Sequence, residues 1–188
     1  MLFRSGRQYL AIPGPSVVPD RVLQAMHRAA PNIYGGPLHD LTYSLIPDLK
    51  KIARTEANLA IYIGNGHAAW EASLANVLSR GDKVLVLATG QFGLGWAEVA
   101  RGLRADVEVI DYGVQSDVGV ERLDAVLRAD AEGRIKAVMV CHVDTSAGVR
   151  NDIPAIRKTM DEAGHGALLM VDCIARSEEH TSELQSPC

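Results

Sequence analysis

Short apolar runs rich in β-branched residues recur along most of the chain, separated by segments with helical spacing. This alternation constrains the fold more than any other feature of the sequence. Residues 59–63, 83–88, 107–111, 135–141 and 167–172 read as strands, and 68–79, 94–103, 120–129 and 153–163 as helices. The strands are near-continuous apolar stretches, as in strands covered on both faces. Strands and helices in strict alternation predict an α/β fold, a mainly parallel sheet with helices on both faces. Ahead of it lie a loop at 12–16 and two helical patterns, 19–28 and 41–54. The first opens on Pro19, a residue suited to the first turn of a helix.

Composition narrows the function classes. The chain has 188 residues, 47% apolar and 22% charged, which is enough for one domain with a buried core. Its net charge is −4 and it has no Lys/Arg-rich run, so neither nucleic acid nor an anionic membrane is an expected partner. No apolar run approaches the roughly 20 residues of a membrane span. The opening residues are too few and too polar for a secretory signal, and Pro13 follows Arg4 and Arg7 too soon for an amphipathic organellar presequence. Cys141, Cys173 and Cys188 have neither metal-ligand nor disulfide-framework spacing, which suits a reducing, cytoplasmic compartment and predicts no metal. After Ala175 the apolar periodicity stops. Residues 176–186 look like the in-frame translation of a sequencing-library adapter. The expectation is therefore a non-native tail at 176–188 that packs against nothing and lacks regular structure, on a chain whose natural continuation is cut off.

Four stations carry possible chemistry. The first is the stretch 64–71, with Gly64, Asn65, Gly66 and His67 at its head, which follows a predicted strand and opens a helix. The glycines allow a tight turn, and the helix N-terminus offers unpaired N–H groups and a positive dipole end, a phosphate-binding arrangement. An ordinary strand-to-helix turn would look the same. Gly64, Gly66 and Ala69 also match a dinucleotide fingerprint, but the next strand ends in Thr89, Gly90 and Gln91 and lacks the acidic residue that would hold a ribose. The second station is the loop 89–93, where the Phe92 ring could lie over a flat cofactor or fold back onto the core. The third is the stretch 142–148, where Thr145 offers a hydroxyl at the strand end that faces the ligand crevice of open α/β sheets; turn chemistry is the plain alternative. The fourth is Asp172, closing the last strand. A carboxylate there needs a partner, and a pyridinium N–H or a neighbouring loop would serve.

In order and spacing, these stations resemble the class V aminotransferases, in particular the alanine/serine–glyoxylate branch, from Leu10 to Ala175. The resemblance implies the large domain of a fold type I pyridoxal 5'-phosphate (PLP) enzyme over residues 19–175, incomplete, after an N-terminal segment at 1–18. It implies PLP as cofactor and a homodimer as the intact form. By resemblance, Asn65, Gly66 and His67 hold the cofactor phosphate, Phe92 stacks on the ring, Thr145 bonds near the ring oxygen or the aspartate, and Asp172 pairs with the ring nitrogen. Pro13, Gly14 and Pro15 would lie by the substrate and the dimer interface. Asn65 departs from the Ser or Thr common at its position. The implied reaction is transamination between alanine or serine and glyoxylate or a similar 2-oxo acid. The Schiff-base lysine of the family follows the aspartate strand, whereas Lys50, Lys51, Lys83, Lys136 and Lys158 all precede Asp172, so the chain alone is expected to be inactive. A PLP lyase or cysteine desulfurase shares the same half, and a Rossmann-like nucleotide-binding module is the remaining alternative.

Overall fold

The structure is a computed structural model that describes residues 17–177. The described residues fall into two compact units that divide between Leu49 and Lys50. In the first, Pro19 caps α1 (Asp20–Met26). The longer helix α2 (Pro37–Ala53) begins there and ends four residues into the second unit. It starts on Pro37, earlier than the apolar spacing predicts, because a proline's fixed φ and missing N–H suit a helix's first position. Neither helix has a buried residue.

The second unit holds a four-stranded parallel sheet in the order β2 (Asp106–Asp111), β1 (Lys83–Ala88), β3 (Ile135–Cys141) and β6 (Leu168–Asp172). Helix α3 (Gly66–Val77) precedes β1. The crossovers are α4 (Gln91–Gly102), α5 (Val120–Ala129) and α6 (Ile153–Glu162), and α7 (Ile174–Ser177) follows β6. A short antiparallel hairpin, β4 (Val143–Asp144) and β5 (Val149–Arg150), sits between β3 and α6. The fold is α/β, as the alternation predicts.

Period-two alternation along the central strands builds two cores. Leu85, Leu87, Val138 and Val140 face Leu123, Leu127, Ile156 and Met160 of α5 and α6. Val84, Val86, Ala137 and Met139 face Trp70, Leu74, Trp96 and Ala97 of α3 and α4. Fully burying one large apolar side chain is worth about 1.5–3 kcal/mol, so β1 and β3, covered on both faces, anchor the sheet. After β1 the chain crosses by α4 on one face, and after β3 it crosses by α6 on the other. The crevice of such a sheet lies where adjacent crossovers part, here outside the carboxyl ends of β1 and β3.

Three expectations need correction. Residues 59–63 form no strand: Ile61, Tyr62 and Ile63 are exposed and no described strand pairs with them. An apolar run becomes a strand only where a neighbour supplies the ladder. The last strand is an edge that is only partly covered, with Leu168 exposed. The tail is not wholly without regular structure, since α7 carries helix through Arg176 and Ser177; residues 178–188 lie outside the described ones.

Candidate active site

Three segments meet at the carboxyl edge of the sheet. The first is the N-terminus of α3. Asn65 holds an extended backbone at the cap, and its Oδ1 accepts from the Ala68 N–H at 3.1 Å. Its carbonyl accepts from Ala69 N–H at 3.2 Å. Gly66 and His67 come ahead of any intrahelical acceptor, so their N–H groups point out of the exposed helix mouth. The first station thus opens a helix as expected, but no strand leads into it.

The second segment is the start of α4, and here the chain supplies its own anion. Asp144 is fully buried, and its Oδ2 accepts from Phe92 N–H at 3.1 Å and Gly93 N–H at 3.0 Å. Its Oδ1 accepts from the Ser146 hydroxyl at 2.6 Å and the Ser146 N–H at 3.2 Å. Ser146 Oγ in turn accepts from Gln91 N–H at 2.7 Å. A buried carboxylate is tolerable here because four donors and the positive end of a helix dipole surround it. Gly90 makes the approach possible: a Cβ there would lie 2.5 Å from the Asp144 carboxylate and 2.6 Å from Ser146 Oγ. Phe92 therefore sits in the first turn of α4, not in a loop, with its ring partly exposed. Thr145 occupies the exposed hairpin turn, and it is its neighbours Asp144 and Ser146 that reach α4.

The third segment is the end of β6. Asp172 is half-buried and pairs across the sheet with Cys141. Trp70 Nε1 donates to its Oδ2 at 2.9 Å, and Ile174 N–H donates to its Oδ1 at 2.9 Å. His142 N–H donates to its backbone carbonyl at 2.8 Å. Burial, helped by the negative charges of Asp172 and Asp144, pushes the Cys141 thiol well above its usual range, so it stays a neutral core group. The Trp70 ring lies 4.6 Å from His67 and 6.4 Å, edge-on, from Phe92. His67, Phe92 and Asp172 are thereby gathered around one indole, with Gly66 one helical turn before it.

A buried amide locks the strand ends behind this edge. Asn151 Nδ2 donates to Thr89 Oγ1 at 3.0 Å and to the Cys141 carbonyl at 2.8 Å, while its Oδ1 accepts from Val118 N–H at 2.9 Å. Trp70, Asp144, Ser146 and Asn151 escaped the sequence reading as functional candidates. The first three lie inside stretches it singled out, while Asn151 carries no local signal. Pro13, Gly14 and Pro15 lie outside the described residues. Among the described residues no group of His, Cys, Asp and Glu is arranged to hold a metal, and no helix is long and apolar enough to cross a membrane.

The strand order and the crossovers on both faces define an open α/β sheet, an architecture whose ligand crevice lies outside the carboxyl ends of its strands. The family model "Aminotransferase class-V" matches residues 8–185, and the chain belongs to that family. It is 40% identical over 173 residues to a serine–glyoxylate aminotransferase of Methylorubrum extorquens, covering 92% of this chain and 43% of that protein. It is 34% identical to a serine–glyoxylate aminotransferase of Arabidopsis thaliana, over 93% of this chain and 44% of that one. The crystal structure of an alanine–glyoxylate aminotransferase from Nostoc sp. superposes with a TM-score of 0.74 at 29% identity, covering 92% of this chain and 47% of that one. The chain therefore spans less than half the length of the relatives it matches.

Proposed function

We propose that the protein carrying this chain is a PLP-dependent transaminase that moves an amino group from alanine or serine to glyoxylate or a similar 2-oxo acid. The observation that carries this reading is the pairing of an open helix mouth at Gly66 and His67 with the Asp172 carboxylate, joined through Trp70. That donor set suits a molecule with a phosphate at one end and a basic ring nitrogen at the other. The Gly66 and His67 N–H groups and the α3 dipole hold the phosphate, with Asn65 fixing the turn. Phe92 covers one face of the ring, and Thr145 offers its hydroxyl from the hairpin turn. Asp172 holds a proton on the ring nitrogen. Each of its oxygens accepts one donor within the chain and keeps a second lone pair. When bound, PLP supplies an electron-withdrawing ring and an aldehyde that exchanges with amino groups.

The proton at the substrate's α-carbon needs a positioned base, a service typically worth about 10²–10⁴-fold. Lys83 and Lys136 lie at the amino ends of β1 and β3, the edge opposite Asp172, and Lys158 lies on the outside of α6 beside Glu162. We assign that role to a lysine that follows residue 175 in the natural protein, and with it the rest of a cytoplasmic homodimeric enzyme. Residues 176–188 are, on this reading, foreign to it. The relatives named above share glyoxylate in their names, which supports it as the acceptor.

The test compares two proteins, this chain and the longest reading frame containing residues 1–175, each assayed with PLP, glyoxylate and alanine or serine. Turnover by the longer protein alone is the expected result. Equal turnover by both would place the base within this chain, and none by either with any donor would remove the transaminase assignment.

A further inference from the structure

Trp70 is buried, with a relative exposure of 6%, and its indole N–H has one partner, the Asp172 carboxylate at 2.9 Å. Burial alone does not account for that bond. Trp96 stacks on Trp70 at 5.8 Å between ring centroids, is buried as deeply, and leaves its own Nε1 with no hydrogen-bond partner among the described residues. This core accepts an indole without a partner, so the Trp70–Asp172 bond is a specific contact that packing does not require.

Its place on α3 gives the contact a consequence. Trp70 follows His67 by three residues and Gly66 by four, so all three lie along one helix face. The geometry points to Trp70 as the positioning residue for Asp172: its indole N–H pins the carboxylate plane and sets the span between the helix mouth and the carboxylate. Ile174 N–H holds the other oxygen, so the carboxylate is fixed by one donor on each side and presents its remaining lone pairs beyond the strand end. A group that loses one of the two donors turns more freely about its last torsion and meets a ring nitrogen less often. This role rests on the PLP reading given above.

The test is a double-mutant cycle on cofactor affinity. Apo protein from the longest reading frame is titrated with PLP and followed by the cofactor's absorbance, for the wild type, Trp70→Phe, Asp172→Ala and the double variant. Trp70→Phe keeps an aromatic ring in the core and removes the donor. It is expected to weaken PLP about tenfold, the scale of one lost hydrogen bond to a charged group, and to cost nothing further once Asp172 is gone. Equal losses in both backgrounds would overturn the proposal, because a packing role is indifferent to the carboxylate. Failure of the wild type to bind PLP removes the cofactor reading itself, and this role with it. A second measurement needs no cofactor and does not depend on the folding of Trp70→Phe. The ¹H–¹⁵N spectrum of this chain contains two indole signals, because its sequence has two tryptophans. Asp172→Ala is expected to move the Trp70 signal and leave that of Trp96 in place; two unmoved signals would show that the bond does not exist in solution and would overturn the proposal.

Discussion

Helices α3 and α4 are each 12 residues long, and each opens beside a glycine at the ligand edge, yet their N-termini are built in opposite ways. At α3 a neutral Asn65 caps a single N–H and the mouth stays exposed. At α4 the chain fills the mouth itself: Asp144 and Ser146 take the first three N–H groups and bring a negative charge. A helix N-terminus attracts anions only while its donors are free. The Asp144 charge also repels a second anion from α4, which leaves α3 as the end suited to a phosphate. A glycine before a helix therefore does not mark a phosphate site by itself; what lies opposite it decides.

The largest effect is expected from emptying the α4 mouth. Asp144→Ala removes the acceptor of the buried Gly93 N–H, the part-buried Phe92 N–H and the Ser146 hydroxyl, which solvent reaches in part. A stranded buried group costs about 1–3 kcal/mol, so a loss of about 3 kcal/mol in unfolding free energy is expected by urea denaturation. Gly90→Ala follows. Its Cβ would collide with the same carboxylate at 2.5 Å, and overpacking of this kind costs about 1–3 kcal/mol. The Gly90→Ala, Asp144→Ala pair should lose less than the sum of the two, since the clash disappears with the carboxylate. A strictly additive pair would mean that Asp144 does not sit over Gly90.

Asn65→Ala should cost about 1 kcal/mol, the ordinary value of one N-cap. The contrast with Asp144→Ala is the sharper measurement. If α3 is the open mouth, inorganic phosphate added to the chain shifts the Gly66 and His67 amide resonances and leaves those of Phe92 and Gly93 in place. Shifts at all four amides would erase the distinction between the helices.

Much of this arrangement was legible in the sequence, and the rest was hidden for physical reasons. Strands β1 and β3 are covered on both faces, which requires continuous apolar runs, and those runs stand out. Residues 59–63 carry a run of the same kind, but composition does not say whether a neighbouring strand is there to pair with. Gly90 and Gly93 read as loop residues because the cap that starts α4 comes from Asp144, 51–52 residues further on. The same distance hid the rest of the site: Trp70 meets Asp172 across 102 residues, and Asn151 meets Thr89 across 62. Local patterns report propensity and burial; they carry no record of which side chains the sheet will bring together.

The smallest expected effect extends the comparison to the opposite edge of the sheet, where Asp130 also fills a set of backbone donors with the chain's own charge. Its Oδ2 accepts from Ile135 N–H at 2.7 Å and lies 3.2 Å from His165 Nε2. Burial alone would raise the proton affinity of this carboxyl. The Ile135 and Arg134 backbone N–H groups and the His165 ring together outweigh burial and hold it below the usual carboxylate value of 3.8. The sign follows from linkage: the unfolded chain takes up the proton first as pH falls, so the stabilisation from Asp130 is intact above about pH 4 and drains away as pH drops toward the folded-state value. Asp130→Asn, which keeps an acceptor oxygen but cannot ionise, should therefore show a shallower loss of stability below about pH 4 than the wild type, with little difference in slope between pH 6 and 7. Urea midpoints measured from pH 7 to pH 3 would read this directly. Identical acid limbs for the two proteins would mean that Asp130 is not held as a charged partner of those N–H groups, and that filling a donor set with the chain's own carboxylate is a feature of α4 alone.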